Sequence, residues 1–348
     1  MTHIILHVGM HKTGTTTIQN TLFENRDELE KAGIYYPAGW EVFGGNKRAQ
    51  SATAHFRFAA ALAEESSDKA QQLSDFRDLI SRKLDDGKAV IISAESLYRH
   101  LVPNQSDEGT SEERKYKARE RFVIRLANYL SGLPVEAVMY IRRPDSFAES
   151  MYGEVILNSE NKQNFSSFIK TDLFRFDLQN QISLLEKHFT TTVLVFETEA
   201  KKGLTRSLFD ATGLIGPPAE APALRTSVSK KAIQWTLFRK KNDNITSLDR
   251  QRSWLFALQP SSSALFACDP AASYFDTKKS RNDFAAEWSA NIAYSFPEAP
   301  EEFKALPPLD DREANMITAA YMRWLRTNSE WVLNREKQSI APFVNPVQ

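Results

Sequence analysis

The feature that most constrains the fold is an apolar strand pattern that runs directly into a turn of glycine, lysine and hydroxyl residues. Residues 3–9 are mostly apolar, the turn continues to Thr17, and apolar residues then recur at helical spacing. This order places backbone N–H groups at a helix N-terminus, where they converge on an anion, and the lysine adds positive charge. The sequence therefore predicts a phosphate-binding loop after the first strand.

The spacing within this loop argues against an ordinary magnesium-dependent nucleotide triphosphatase. A Walker A loop places lysine immediately after its second glycine. Here Gly9 and Gly14 have the Walker separation, but Lys12 comes two residues before Gly14 and Thr15 occupies the position of the Walker lysine. No obvious Walker B carboxylate follows a later strand. A P-loop kinase of unusual spacing stays open as an alternative, and it predicts turnover of Mg-ATP.

A second strand-to-helix junction lies far along the chain. Residues 136–142 read as a buried strand, a proline ends it because proline cannot donate to the ladder, and residues 147–157 continue as a helix. Arg142 and Ser150 lie on either side of this junction. The planar fork of an arginine suits phosphate oxygens, and a serine hydroxyl can donate one further hydrogen bond. Arg143 is the neighbouring alternative to Arg142.

Strand and helix patterns alternate over the first two thirds of the chain. The five apolar runs that qualify as strands are residues 3–9, 34–36, 89–93, 136–142 and 191–197. Strands that alternate with helices favour a parallel sheet with phosphate loops at the carboxyl ends of its strands. The predicted fold class is α/β, a P-loop-like parallel sheet flanked by helices. From about Ala232 the pattern becomes helical and aromatic, which predicts a mostly α-helical C-terminal subdomain.

Composition excludes several other classes of protein. The chain has 348 residues, with 44 basic and 44 acidic side chains, so no global charge favours nucleic acid or an anionic membrane. Its single cysteine, Cys268, cannot form an internal disulfide, and no cluster of cysteine and histidine predicts a metal site. The first residues do not form a charged-then-apolar pattern, so we expect no leader segment, and no apolar run reaches the roughly 18 residues that span a bilayer. We expect a cytoplasmic protein without an integral membrane segment.

The two junctions together resemble those of the PAPS-dependent sulfotransferases, in particular their bacterial, carbohydrate-type branch. In that family a K-[ST]-G-T-[TS] loop holds the 5′-phosphosulfate of 3′-phosphoadenosine-5′-phosphosulfate (PAPS), and an arginine and a serine at the second junction hold its 3′-phosphate. The resemblance assigns binding of PAPS to Lys12, Thr13, Gly14, Thr15, Thr16, Thr17, Arg142 and Ser150. It implies transfer of a sulfuryl group to an acceptor hydroxyl, release of the product PAP, and no requirement for a metal.

Candidates for the catalytic base come from the edge of the sheet. The strand at 89–93 is followed by Glu95, which resembles the base of the carbohydrate-modifying branch and favours a saccharide or glycolipid acceptor. Capping of the next helix is the alternative role for this carboxylate. His11 and His55 are rival bases, although a structural role is favoured for His55. We expect Lys12 to neutralise charge on the leaving oxygen.

The resemblance also divides the chain. It covers residues 1–22 and 135–152 closely and the span to about Gly213 more loosely. We expect residues 1–215 to form the PAPS-binding core, and residues 216–348 to pack on it and contribute to the acceptor site. A noncatalytic descendant that binds a nucleotide is a further alternative. The sequence does not indicate the acceptor or the oligomeric state.

Overall fold

The computed structural model describes residues 2–10, 12–43, 53–64, 66–171, 173–221, 228–243 and 245–332. The chain divides into two compact units. The first comprises Met1–Arg143, Asp172–Leu224 and Trp288–Pro297, and the second comprises Pro144–Thr171, Arg225–Glu287 and Glu298–Gln348. The expected division of roles between residues 1–215 and 216–348 stays a prediction.

A five-stranded sheet forms the centre of the first unit. Its strands are β1 (Ile4–Gly9), β2 (Ile34–Tyr35), β3 (Ala89–Ala94), β4 (Val135–Ile141) and β5 (Thr190–Val195). All neighbouring pairs are parallel, in the order β2-β3-β1-β4-β5. The predicted α/β fold is confirmed, and each strand ends within two residues of its predicted end.

Helices surround the sheet and make up most of the second unit. The α-helices in the described residues are α1 (Thr15–Glu24), α2 (Arg26–Lys31), α3 (Gly39–Phe43), α4 (Phe56–Ala63), α5 (Ser67–Asp85), α6 (Ser96–Arg99), α7 (Ser111–Tyr129), α8 (Pro144–Asn158), α9 (Phe165–Thr171), α10 (Leu178–Glu186), α11 (Phe196–Glu199), α12 (Leu204–Thr212), α13 (Lys230–Asn242), α14 (Ser247–Ala257), α15 (Lys278–Ser289) and α16 (Asp311–Thr327).

The central strands are mostly apolar because both faces of the sheet are covered. Every residue of β1 and β3 is buried. Parallel strands that are covered on both faces read as continuous apolar runs, which is the pattern that made them visible in the sequence. On one face Ile5, Ile91 and Val138 pack with Ile18 and Leu22 of α1. This packing holds α1 against the sheet.

The order of the strands creates a topological switch point at the carboxyl ends of β1 and β4. Within the sheet, β2 and β3 lie on one side of β1, and β4 and β5 lie on its other side. The connections after β1 and β4 therefore leave in opposite directions. Such a switch point is where open α/β sheets bind ligands. Both predicted phosphate-binding junctions begin at these two strand ends.

The second unit packs around its own aromatic core. Trp235, Phe256 and Tyr321 are buried together, with ring centroids 5.4 to 5.8 Å apart. Apart from its helices, it contains the short parallel pair β6 (Ala272–Ser273) and β7 (Lys304–Ala305). The mostly helical character predicted from about Ala232 onward is confirmed. Within the described ranges, no helix combines the length and apolar character needed to cross a membrane.

Candidate functional site

The loop after β1 adopts a backbone conformation that depends on its glycines. Gly14 has φ 73° and ψ 15° and precedes the first residue of α1. A Cβ atom on Gly14 would lie 2.1 Å from Cδ1 of Leu204, and one on Gly9 would lie 2.7 Å from the Thr15 side chain. The positive φ favours glycine at position 14, and the nearby Thr15 side chain and Cα of Glu95 favour it at position 9. The loop therefore favours glycine at these two positions for different structural reasons.

Lys12 also adopts a left-handed conformation, with φ 65°. Among the described residues, no other non-glycine residue has a positive φ. This conformation costs an L-residue about 1–2 kcal/mol, so the surrounding contacts must offset the strain. The lysine of the motif thus lies at a strained position of the loop.

Hydroxyl groups brace the loop from within. Thr13 donates from Oγ1 to the carbonyl of Met10 at 2.7 Å, and Thr15 donates to the same carbonyl at 3.4 Å. Both threonines are buried, whereas Thr16 and Thr17 are half-buried. In this structure the hydroxyls of Thr13 and Thr15 hold the loop in shape.

The N-terminus of α1 has no side-chain cap. Its N-cap is Gly14, which has no side chain to accept from the first amides, and no acidic residue occupies the first turn of this described helix. The amides of Thr17 and Ile18 donate to the carbonyl of Gly14. The earliest amides of a helix have no intrahelical acceptor, and its dipole favours negative charge at that end. The amides of Thr15 and Thr16 are therefore suited to phosphate oxygens.

Arg142 brings the second junction to the first. It follows the last residue of β4, and its Nη1 donates to the carbonyl of Lys12 at 2.9 Å. Its guanidinium lies 5.2 Å from the ring centroid of Phe196, and its Nε lies 3.7 Å from Oε1 of Glu197. Residues that are 130 positions apart in the chain therefore meet just beyond the carboxyl ends of β1 and β4.

Three further predicted site residues are Arg143, Ser150 and His11. The Arg143 side chain is half-buried, and its backbone N–H donates to Glu197. Ser150 lies on α8 in the second unit with a half-buried side chain, and its role stays a prediction. His11 lies outside the described residues.

Glu95 lies at the same edge of the sheet as the loop. Ala94, the last residue of β3, aligns with Val8 of β1, so Glu95 follows level with Gly9. Its Cα lies 3.0 Å from where a Cβ on Gly9 would be. Glu95 occupies the N-cap position of α6, yet its side chain forms no capping hydrogen bond. Capping therefore does not explain a carboxylate at this position.

A buried polar group lies directly beneath this edge. Nδ1 of His7 is 2.8 Å from Oγ of Ser93, and Nε2 of Gln19 donates to the same Oγ at 3.2 Å. His7 is fully buried, and within the described part of the chain its Nε2 has no hydrogen-bond partner. Burial lowers the pKa of His7 to about 4, although the negative charge of Glu95 acts in the opposite direction. At neutral pH the imidazole of His7 is uncharged.

His55 has a structural role in the same region. Its Nε2 donates to the carbonyl of Pro37 at 2.7 Å, and its Nδ1 accepts from the backbone N–H of Ser93 at 2.9 Å. Burial lowers its pKa to about 4, while the carbonyl oxygens of Pro37 and Ser93, which lie within hydrogen-bond distance of the ring, act against that shift. Because both ring nitrogens contact the backbone, His55 is poorly suited to accept a proton from an acceptor hydroxyl.

Glu197 was missed as a site residue by the sequence interpretation, which placed it at the end of the fifth strand. In the structure β5 ends at Val195, and Glu197 lies in the short helix α11. The signal in the sequence is a carboxylate just after an apolar strand, the same signal that singled out Glu95. Nothing local in the sequence indicates that this carboxylate faces Arg142.

The described residues contain no group of three or more histidine, cysteine, aspartate or glutamate side chains that could hold a metal ion.

The chain is similar to a solved structure but not to a family model or a curated sequence. No protein-family model matches the chain, and no curated protein sequence matches it. A search of solved structures found the crystal structure of a sulfotransferase from Alicyclobacillus acidocaldarius. It is 13% identical, the match covers 73% of this chain and 96% of that chain, and the TM-score is 0.34. At that TM-score the similarity does not support an argument about function.

Proposed function

We propose that the chain is a sulfotransferase that moves a sulfuryl group from PAPS to an acceptor hydroxyl and releases PAP. The observation that carries the proposal is the hydrogen bond of Arg142 to the carbonyl of Lys12. This contact joins the two sequence junctions that resemble the phosphate-binding motifs of PAPS-dependent enzymes. The strand order supports the proposal because both junctions open at the switch point of the sheet.

In this proposal the two ends of the nucleotide bind different parts of the site. The amides of Thr15 and Thr16 and the side chain of Lys12 bind the 5′-phosphosulfate at the N-terminus of α1. Arg142 and Ser150 bind the 3′-phosphate, the arginine through its planar fork. A planar cation and a set of helix amides are the donors that phosphate oxygens require.

The transfer step depends on positioning and charge. The acceptor oxygen attacks sulfur, a new S–O bond forms, and the S–O bond to the 5′-phosphate breaks with its electron pair leaving on PAP. Glu95 takes the proton of the acceptor hydroxyl, with His11 as the rival base. Lys12 neutralises the charge that develops on the leaving oxygen. None of these roles requires a metal.

We further propose that the acceptor hydroxyl belongs to a saccharide or glycolipid, that residues 216–348 help to bind it, and that the enzyme is cytoplasmic. The glutamate at position 95 supports the saccharide class, since the resemblance associates glutamate with the carbohydrate-modifying branch.

The first experiment is a calorimetric titration of the purified protein with PAP, beside AMP and Mg-ATP. We expect micromolar or tighter binding of PAP, much weaker binding of AMP, and no dependence on magnesium. Binding of Mg-ATP alone would overturn the proposal in favour of a kinase. Binding of PAP without transfer to any acceptor in a broad saccharide screen would favour the noncatalytic alternative.

Variants of Lys12 test its role in transfer. Lys12→Ala should abolish transfer but also strains the left-handed turn, whereas asparagine adopts that conformation readily. Lys12→Asn therefore removes the charge while sparing the backbone. We expect Lys12→Asn to lose transfer of sulfate from PAPS as completely as Lys12→Ala does. Retained transfer in Lys12→Asn would exclude a role for the lysine charge.

A further inference from the structure

The carboxylate of Glu197 contacts both residues that follow β4. Its two oxygens accept from the backbone N–H of Arg143 at 3.2 and 3.3 Å. Its Oε1 also lies 3.7 Å from Nε of Arg142. Side chains of Arg142 and Glu197 are 22% and 19% exposed, so water screens this ion pair only in part. A backbone amide at the end of a central strand is a fixed donor, and it holds Glu197 in a defined place beside Arg142.

Arg142 extends this restraint to the phosphate-binding loop. Its Nη1 donates to the carbonyl of Lys12, the residue with a strained left-handed backbone. Its guanidinium also lies over the face of Phe196, which precedes Glu197 in the chain. A charged donor on the carbonyl of a strained residue helps to stabilise that conformation. Contacts therefore run from Glu197 through Arg142 to Lys12.

We propose that Glu197 is a positioning residue, which acts through Arg142 to hold Lys12 in the left-handed turn. From this turn the lysine and the first amides of α1 are presented together. The identity of the nucleotide rests on the function proposed above, whereas the restraint on the loop does not depend on it.

Charge and position make opposite predictions for this residue. Glu197 carries a negative charge beside an arginine that is proposed to bind phosphate. If only charge mattered, Glu197→Gln would remove a repulsion and tighten the binding of PAP. If Glu197 acts by position, the same change loosens Arg142 and weakens the binding of PAP despite the lost repulsion. The direction of the change in affinity separates the two roles.

The chain offers a matched control on the same short helix. Glu199 also belongs to α11, where both of its oxygens accept from the exposed Lys202 at 3.1 Å. We expect Glu197→Gln to raise the Kd for PAP about tenfold, as for the loss of one contact to a charged group. Glu199→Gln should change the Kd for PAP by less than about twofold.

A double variant tests whether Glu197 acts through Arg142. In an Arg142→Ala background, Glu197→Gln should cause no further loss of affinity for PAP. Binding by Glu197→Gln as tight as in the wild type, or tighter, would overturn the proposal.

Hydrogen exchange of the ligand-free protein tests the restraint without a nucleotide. In Glu197→Gln we expect the amides of Thr17 and Ile18, which donate to the carbonyl of Gly14, to exchange about tenfold faster than in the wild type, because the turn opens more often. Amides of β1 should keep their wild-type rates, which separates this effect from a general loss of stability. Unchanged exchange in the loop would refute the restraint. If exchange rises but the wild type binds no PAP, the restraint stands and the proposed function fails.

Discussion

Acidification should destabilise the first unit through its buried histidines. His7 and His55 are 0% and 2% exposed, and burial lowers the pKa of each to about 4 from an ordinary value of 6.5. Below pH 6.5 the unfolded chain binds protons that the folded chain excludes. The free energy of unfolding is therefore highest above pH 6.5 and falls as the pH approaches 4.

The size of the effect follows from the distance between the working pH and 6.5. One pH unit corresponds to about 1.4 kcal/mol for each proton that only the unfolded chain binds. Between pH 7 and pH 5 each of the two histidines should lower the free energy of unfolding by about 2 kcal/mol. The combined loss from both histidines is a large fraction of the 5–15 kcal/mol free energy of unfolding that is typical of a folded domain.

Urea unfolding at pH 7 and pH 5, followed by tryptophan fluorescence and circular dichroism, measures this loss. His7→Gln should shrink the difference in unfolding free energy between the two pH values by about 2 kcal/mol, whatever its stability at pH 7. Burial also lowers the pKa of His100 to about 4, but this contribution is shared by both proteins and cancels in the comparison. His188→Gln, a change at an exposed site, controls for the substitution itself. A His7→Gln protein with the full wild-type pH dependence would refute the reasoning.

Three further predictions concern the candidate site. Gly14→Ala should abolish binding of PAP, because the backbone at this position is left-handed and the new Cβ meets the Leu204 side chain. Gly87→Ala is the control: its φ is 80°, but no atom lies within 4 Å of the new Cβ, so this variant should bind PAP normally. Arg142→Ala should weaken PAP binding by about 2–4 kcal/mol in calorimetry. Arg143→Ala should have little effect on the affinity for PAP. If Arg143→Ala weakened binding more than Arg142→Ala, the contact with the 3′-phosphate would be reassigned to Arg143. Glu95→Gln should lower the rate of transfer while sparing the affinity for PAP, and full activity would exclude it as the base.

Sequence patterns located the strands and the two junctions because their causes are local. An apolar run of strand length, ended by glycine or proline, has few alternatives in a folded chain. The spacing of the motif singled out Gly14, and the structure gives this residue a positive φ. The sequence also singled out Glu95 from its place after a strand, and the structure positions that residue level with Gly9.

Only the tertiary structure decided which of these parts meet. The sequence does not state that β1 lies between β3 and β4, and that order alone brings Arg142 to the carbonyl of Lys12. Contacts of this kind depend on packing between residues far apart in the chain, and so do the pairing of Glu197 with Arg142 and the neutral state of His7. Local patterns therefore determined which elements form, and non-local packing decided which side chains share a site and how they are charged.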